Sequence, residues 1–586
     1  MSMVTSTAEH KPSANEFLKA SDPTLAGTIA RTLADPQADH FVDDDTQFLK
    51  SHGIYQQDDR DLRKTGKKYI FMVRCRIPGG VLTPAQYLAC DELAGRYANN
   101  TLRVTSRQGF QFHGVVKGSL RQLVKGINDA LLGTLAACGD NNRNVMAPPT
   151  PPTNGLGVQV LEHARQVAAA ILPRTRAYHS IWIEGVPLNL EEQGNKDFVD
   201  PLYGKTYLPR KFKIAFVIPP LNDIDVFTNC CGFVAIGDDS GKLSGYNLTA
   251  GGGQGRSHGN EATFPRLADV IGFLPPEKVV DVAKAVVTIH RDFGDRSNRK
   301  HARLKYVLAD RGVEWFREEL ERRLGFRLAE PLPFKFARQG DAFGWNRQMD
   351  GRLFLGLFVE TGRITDREGW RIKTALRGVV ARFQPEVRLT PGNNIILANL
   401  AEADREAISR QFAEHGIQTE PDRQGSVLRR ASMACVSLPT CGLGLAESER
   451  YLPGLMTKIE ALLTEVGLGD QEITIRMTGC PNGCARPYMA EIGFVGKGPG
   501  RYQLWLGGNE SSTRLNRLYR ETVKDPDIIN ELRPLFTRYA QEQLTGERFG
   551  DWVARVVWAE QPASEPGRDS VVHGVARVPA QTPAAN

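Results

Sequence analysis

Two short cysteine motifs carry the most specific chemistry in the sequence. In MACVSLPTC, five residues including Pro439 separate Cys435 from Cys441; in TGCPNGC, three residues including Pro481 and Gly483 separate Cys480 from Cys484. Zinc knuckles space their paired ligands by about two to four residues, which the first motif exceeds. Four thiolates supplied by two loops suit an iron–sulfur cluster better. Pro481 and Gly483 discourage a regular helix, so both sulfurs of the second loop can turn to one side while nearby amides hydrogen-bond them. A structural zinc on the same four thiolates, or unrelated buried cysteines, are the blander alternatives. The chain has nine cysteines, an odd number that prevents complete intrachain pairing. Cys75, Cys90, Cys138, Cys230 and Cys231 show no comparable arrangement and read as small buried hydrophobes.

Basic residues at strand spacing form the second signal. In KKYIFMVRCRIPGG, alternation places Arg74 and Arg76 on one face. In LRVTSRQGFQFHG it aligns Arg103 with Arg107 and sets Gln111 and His113 opposite Phe110 and Phe112. Lys211 and Lys213 share a face in LPRKFKIAFVIPP, and Arg143 lies in the turn-like GDNNRNV. Singly, each is an ordinary solvated cation. Paired on strand faces beside apolar residues, they suit an anion pocket in which Arg grips an oxyanion by two hydrogen bonds and Lys supplies mobile charge and protons.

The elements that must position these groups look α+β. PGGVLTPAQYLACDELAGRY with LRVTSRQGFQFHG is echoed by ETGRITDREGWRIKTALRGVV with VRLTPGNNIILANL, each reading as strand, turn, amphipathic helix, strand. GFVAIGDDSGKLSGYNLTAGGG and GFVGKGPGRYQLWLGG both read as a hairpin closing on a glycine run. Two diverged copies of a two-part module explain both echoes. Residues 1–61 are polar and irregular, an extended arm available for a partner, and residues 561–586 read as a flexible tail.

At 586 residues the length fits roughly three or four domains, which rules out a small disulfide-stapled scaffold. With 41% hydrophobic and 24% charged residues the composition is that of a globular chain and excludes wholesale disorder. No apolar run approaches the roughly 18 residues that span a bilayer, and the N-terminus lacks a secretory pattern, so a cytoplasmic protein is expected. The net charge of +7 is modest, and no stripe of Lys and Arg with interleaved aromatics marks a nucleic-acid surface. Neither a dinucleotide-binding GxGxxG nor a phosphate loop is present; GGGQG at Gly251–Gly255 is a weak lone glycine run. Electrons for a cluster would therefore come from another polypeptide.

ACVSLPTC and TGCPNGCARPYMAEIGFVGKGPGRYQLWLGGN, with GIYQQDDRD, RCRIPGG, TSRQGFQFHG, NRNV and TYLPRKFK in that order, resemble the sulfite and nitrite reductase hemoproteins, from about His52 to Trp558. Within that family the type served by an NADPH-dependent flavoprotein is most similar. The resemblance implies a pseudo-twofold α+β fold in three domains: duplicated ferredoxin-like halves at 62–136 and 341–420, a siroheme and substrate domain at 137–340, and an iron–sulfur and siroheme-binding domain at 421–560. It implies a 4Fe-4S cluster on Cys435, Cys441, Cys480 and Cys484, with Cys484 also bridging to siroheme. Arg74, Arg143, Lys211 and Lys213 match the residues around the sulfur oxyanion. Arg76, Arg103, Arg107, Gln111, His113 and Asn482 match positions around the siroheme. The implied reaction is six-electron reduction of sulfite to sulfide in sulfate assimilation and cysteine biosynthesis. Its electrons would come from a flavoprotein (alpha) subunit in a hetero-oligomer, which carries NADPH, FAD and FMN. Nitrite reduction, ferredoxin-fed sulfite reduction and a non-catalytic zinc or nucleic-acid-binding protein are the alternatives.

Overall fold

The computed structural model describes residues 11–152, 154–175, 182–183, 186–187, 198–238 and 240–560. The tail expected at 561–586 lies outside the described residues.

Apolar alternation builds two five-stranded sheets that mirror one another. The first runs in the order Ile54–Asp58, Tyr69–Arg74, Phe110–Val115, Leu102–Val104, Arg363–Ile364. The second runs Gly344–Arg347, Leu353–Leu357, Ile395–Leu400, Glu386–Leu389, Val81–Leu82. Each takes its fifth strand from the other copy: Arg363 pairs with Arg103, and Val81 with Arg388. Helix Pro84–Tyr97 begins with Thr83, whose hydroxyl accepts from the Gln86 amide while the Gln86 side chain accepts from the Thr83 amide, a reciprocal cap that fixes its start. It packs with helix Ile372–Phe383 into one core shared by both sheets, in which Phe71, Tyr87, Leu376 and Leu397 are buried. Exchanged strands and a common core make these halves a single unit.

The second part of the module is also repeated. In one copy Ile214–Val217 lies parallel to Cys231–Gly237, which continues antiparallel to Leu243–Ala250 and then Asp269–Leu274. In the other, Ile475–Thr478 lies parallel to Ile492–Gly498, followed antiparallel by Arg501–Leu506 and Arg517–Lys524. Ser432–Ala434 adds a parallel strand beside Ile475–Thr478, and the segment around Asn142 and Met146 does the same beside Phe212 and Ala215. Gly232 and Gly493, the first residues of the GFV echo, are the second residues of matching strands. A joint core containing Val217, Phe227, Val234, Tyr488, Val495 and Trp505 joins the two copies.

Residues 11–61 depart from the expected extended arm. Helices Ala14–Ser21, Ile29–Ala34 and Asp43–Ser51 lead into the edge strand Ile54–Asp58, with Phe41, Phe48 and Leu49 buried. Lys19 donates to the Leu208 carbonyl at 2.8 Å, and Glu16 is ion-paired with Arg296. A few apolar residues in a polar stretch give no periodic signal; they are buried because the body offers them a surface. Among the described residues no helix is long and apolar enough to cross a membrane.

Candidate functional site

Adjacent parallel strands deliver the two cysteine motifs to one sheet end. Ala434 pairs with Met477, and the Cys435 amide donates to the Met477 carbonyl at 3.1 Å, so Cys435 leaves one strand where Cys480 leaves the next. The loop after Cys435 turns back through Ser437, at φ 51°, and closes when the Cys441 amide donates to the Ser437 carbonyl at 2.8 Å. Gly479 permits the close packing: a Cβ there would lie 1.7 Å from Ser437 Oγ. Gly483, at φ 64°, makes the second turn.

Amides face the sulfurs. Gly479 N–H points to Cys435 Sγ at 3.4 Å, Asn482 Nδ2 to Cys480 Sγ at 3.6 Å, and the Leu443 and Gly444 amides toward Cys441. Burial and then the neighbouring Cys484 push the thiols of Cys435, Cys441 and Cys480 up, the last to about 12, so without added positive charge they hold their protons. Among the described residues no three His, Cys, Asp or Glu side chains converge on a single-ion site. Four thiols in mutual electrostatic reach and supplied with N–H donors fit a multi-iron core.

Beside them lies a cluster of cations. The Arg143 amide donates to the Phe212 carbonyl at 2.9 Å and the Phe212 amide to the Asn141 carbonyl at 3.0 Å, which sets Arg143 alongside Lys211 and Lys213. Burial, then Arg303, Arg210 and Arg143, push Lys211 down to about 7. Lys213 is pushed well below its ordinary value by burial, Arg107, Lys211 and Arg303. Arg107, lowered by burial to about 9, is anchored to Asn229 Oδ1 at 2.9 Å and the Ile214 carbonyl at 3.0 Å. Arg74 donates to Cys138 Sγ at 3.0 Å, and Arg143 is hydrogen-bonded to Tyr55. Cys484 is exposed, and its charge is felt both by Lys211 and Lys213 and by the other three cysteines of the motifs. It therefore stands between the two clusters.

Arg210, Arg303 and Lys305 were not singled out by their spacing. Arg303 precedes helix Leu304–Arg311 and donates to Cys230 Sγ at 3.3 Å. Lys305 donates to the Gly255 carbonyl at 2.8 Å and so braces the glycine run against the second cysteine loop, where the Arg256 amide reaches the Pro481 carbonyl at 2.9 Å. The weak GGGQG motif is thus part of the site. In HARLKYV nothing distinguishes these cations from a solvated helix face; only the paired segments bring them inward.

Other expected residues are engaged elsewhere. Arg76 does not join Arg74: it donates to the Ala168 carbonyl at 2.7 Å, and burial lowers it to about 10. Arg103 is ion-paired with Glu449 at 3.2 Å and donates to the Ala434 carbonyl at 2.8 Å. His113 Nδ1 meets Arg363 at 3.0 Å, and Arg363 holds Glu449 at 2.7 and 3.0 Å. Burial, Arg363 and Arg103 keep His113 neutral by pushing it well below its ordinary value. Gln111 Nε2 is buried against Met72 Sδ at 3.5 Å. Asn482 stays with the cysteine loop.

The cation cluster is incompletely satisfied by protein. The buried Nε atoms of Arg74, Arg107 and Arg303 and both amide atoms of Gln254 have no hydrogen-bond partner among the described residues. Interior cations that depress one another, with unfilled donors, fit an anionic ligand, as the siroheme implied by the resemblance would be.

Residues 63–130 and 346–415 match the nitrite/sulfite reductase ferredoxin-like half domain, and residues 163–328 the nitrite and sulphite reductase 4Fe-4S domain. The chain is 48% identical over 556 residues to the sulfite reductase [NADPH] hemoprotein beta-component of Geobacillus kaustophilus, covering 93% of this chain and 95% of that one. It is also 48% identical over 557 residues to the protein of the same name from Myxococcus xanthus, covering 94% and 98%. Among solved structures, that of the Mycobacterium tuberculosis NirA protein matches with a TM-score of 0.76 at 26% identity, over 94% of this chain and 97% of that one. A duplicated fold, four clustered thiols and an adjoining set of buried cations agree with these matches: the chain belongs to the nitrite and sulfite reductase family.

Proposed function

We propose that this chain reduces sulfite to sulfide as the hemoprotein component of an NADPH-dependent assimilatory sulfite reductase. The carrying observation is the position of Cys484, within electrostatic reach of three further cysteines on one side and of Lys211 and Lys213 on the other. Cys435, Cys441, Cys480 and Cys484 would hold a 4Fe-4S cluster. Arg107, Arg303, Lys305, Gln254 and Asn482 would surround a siroheme reached by Cys484. When bound, these groups supply a sulfur-binding iron and an electron store beside it. Electrons would come from a separate flavoprotein carrying FAD, FMN and the NADPH site, in the cytoplasm.

Converting SO₃²⁻ to HS⁻ takes six electrons and seven protons and releases three waters. The chain's part is to bind the dianion and move protons. Arg74 and Arg143 present fixed guanidinium donors to its oxygens, held in place by Cys138 and Tyr55. Lys211 Nζ, lowered to about 7, can give up a proton near neutral pH as an oxygen leaves, and Lys213 lies beside it. Removing one such preorganised donor should cost about 100- to 1000-fold in rate. Arg103, from a ferredoxin-like half, donates to the Ala434 carbonyl and so steadies the strand that leads into Cys435.

Nitrite reduction is the second reading, because the matched domains are named for both anions. An absorption spectrum of anaerobically purified protein tests the cofactors: siroheme and cluster bands are expected, and a colourless protein with stoichiometric zinc would falsify the proposal. Turnover of sulfite and nitrite with a reduced dye tests the substrate; a strong preference for nitrite would favour the second reading.

A further inference from the structure

Because the module is duplicated, the region around Cys484 has a counterpart. Strand registers fix the correspondence. Ile214 pairs with Cys231 as Ile475 pairs with Ile492, so Lys211 matches Glu472, Lys213 matches Thr474, and Asp223 matches Cys484. Met146 beside Ala215 corresponds to Met433 beside Arg476, which sets Arg430 at the place of Arg143. In the turns, the Thr105 amide donates to the Gly109 carbonyl at 2.9 Å and the Thr390 amide to the Asn394 carbonyl at 3.0 Å, so Gly392 stands for Arg107.

These counterpart residues line a cavity of about 350 Å³, in the size range of small-molecule sites. Its charge is mixed, with four arginines and four carboxyls in the lining. Arg107, Lys211 and Lys213 are replaced by Gly392, Glu472 and Thr474, and the place of Cys484 is taken by a carboxyl, with Asp341 beside it. Asp223 is 7% exposed, and its Oδ1 has no hydrogen-bond partner. Asp341 also lines the cavity, its Oδ2 held by Thr390 at 2.5 Å and Asn394 at 2.7 Å. Arg476 and Arg486, on the same wall, share the single carboxylate of Asp225, and their charge also reaches Asp341. A buried carboxyl oxygen without a hydrogen-bond partner, as at Asp223 Oδ1, has lost solvation and regains it from a charged N–H donor.

We propose that this second cavity binds a small compound bearing a primary ammonium group, whose N–H donors are taken by Asp223 and Asp341. Burial, then Asp341 and Asp225, push Asp223 up to about 8, so at neutral pH the empty carboxyl is protonated and an arriving ammonium displaces that proton. A free amine and an amino acid share this chemistry. They differ in whether a carboxylate also engages the exposed Arg338 at the cavity wall.

Calorimetric titration of the full-length holoprotein with methylammonium, 1,4-diaminobutane, L-alanine and tetramethylammonium tests the proposal. Saturable binding of at least one primary ammonium compound is expected, with proton release read from buffers of different ionisation enthalpy, and none with tetramethylammonium. Asp223→Asn should weaken binding about ten- to hundredfold and abolish the proton release. Glu472→Lys, at an exposed position, restores the charge of Lys211 and should also weaken binding, which keeps the test available if Asp223→Asn does not fold. Arg338→Ala should weaken L-alanine alone if the amino acid is the true class, and neither ligand if the amine is. Absence of binding by every primary ammonium compound, equal binding of tetramethylammonium, or unchanged affinity in both carboxylate variants would overturn it.

Discussion

Asp225 and Arg486 occupy the same place in the two copies of the module and are ion-paired to each other. Each lies in the left-handed region, at φ 51° and φ 54°, immediately before a short helical turn, and each is six residues ahead of the matching strand residues Cys231 and Ile492. Arg476 completes the arrangement, 2.6 Å from the same carboxylate. Burial would raise Asp225, but Arg476 and Arg486 outweigh it and hold it down at about 2.

Asp225→Ala should therefore destabilise the protein by about 3–5 kcal/mol, because two buried guanidiniums lose their counter-ion. The folded carboxyl titrates below its ordinary value of 3.8, so its contribution is present above about pH 4 and is lost as pH falls toward 2. Acid unfolding monitored by circular dichroism should begin at higher pH in the variant, and coincident curves would dissociate this pair from acid stability.

Lys211 makes the opposite contribution in the cofactor-free chain. Its folded value of about 7 lies below the ordinary 10.5, so between these the unfolded chain binds the extra proton and stability rises with pH. Lys211→Met should remove that rise, seen as a flatter dependence of Tm on pH across this window. With an anion bound the lysine regains its charge, so sulfite binding at about pH 8 should take up protons in the wild type and fewer in the variant. Equal uptake would place Lys211 away from the anion.

Glu449 is the common partner of Arg103 and Arg363, one from each copy of the ferredoxin-like half. Burial would raise its carboxyl; Arg363 and Arg103 outweigh this and hold it low. Glu449→Gln should cost about 3–5 kcal/mol and loosen the backbone at Ala434, the neighbour of Cys435. Lower Tm with reduced iron content is the expected outcome, and full iron content at unchanged Tm would deny the network a role in placing Cys435.

Gly479→Ala tests the packing of the cysteine loops. Its new methyl would press on Ser437 Oγ and on the Ala446 carbonyl, 2.4 Å away. Overpacking of this kind costs about 1–3 kcal/mol. Bound iron should fall while the ferredoxin-like halves remain folded, which iron analysis and far-ultraviolet circular dichroism would distinguish.

Local chemistry was legible because it is contiguous. Two cysteines within each loop, the Thr83 helix start and the GFV echo each depend on neighbours a few residues apart, so the α+β repeat and the two cysteine pairs follow from the sequence alone, while the parallel strands Ser432–Ala434 and Ile475–Thr478 bring the pairs together. The strand-face rule did less well for the cations. It grouped Arg74 with Arg76 and Arg103 with Arg107, yet Arg76 and Arg103 are drawn to carbonyls and a carboxylate on other elements. Alternation gives the face of a strand but not what packs on that face. Arg303, Lys305 and Glu449 join their sites through contacts spanning tens to hundreds of residues, which no local pattern encodes. The helices in residues 11–61 form against a surface the rest of the chain supplies. The tertiary structure alone decided that the duplicated module has two matching recesses of different charge, because the backbone register persisted while the side chains at Lys211, Lys213 and Cys484 diverged from Glu472, Thr474 and Asp223.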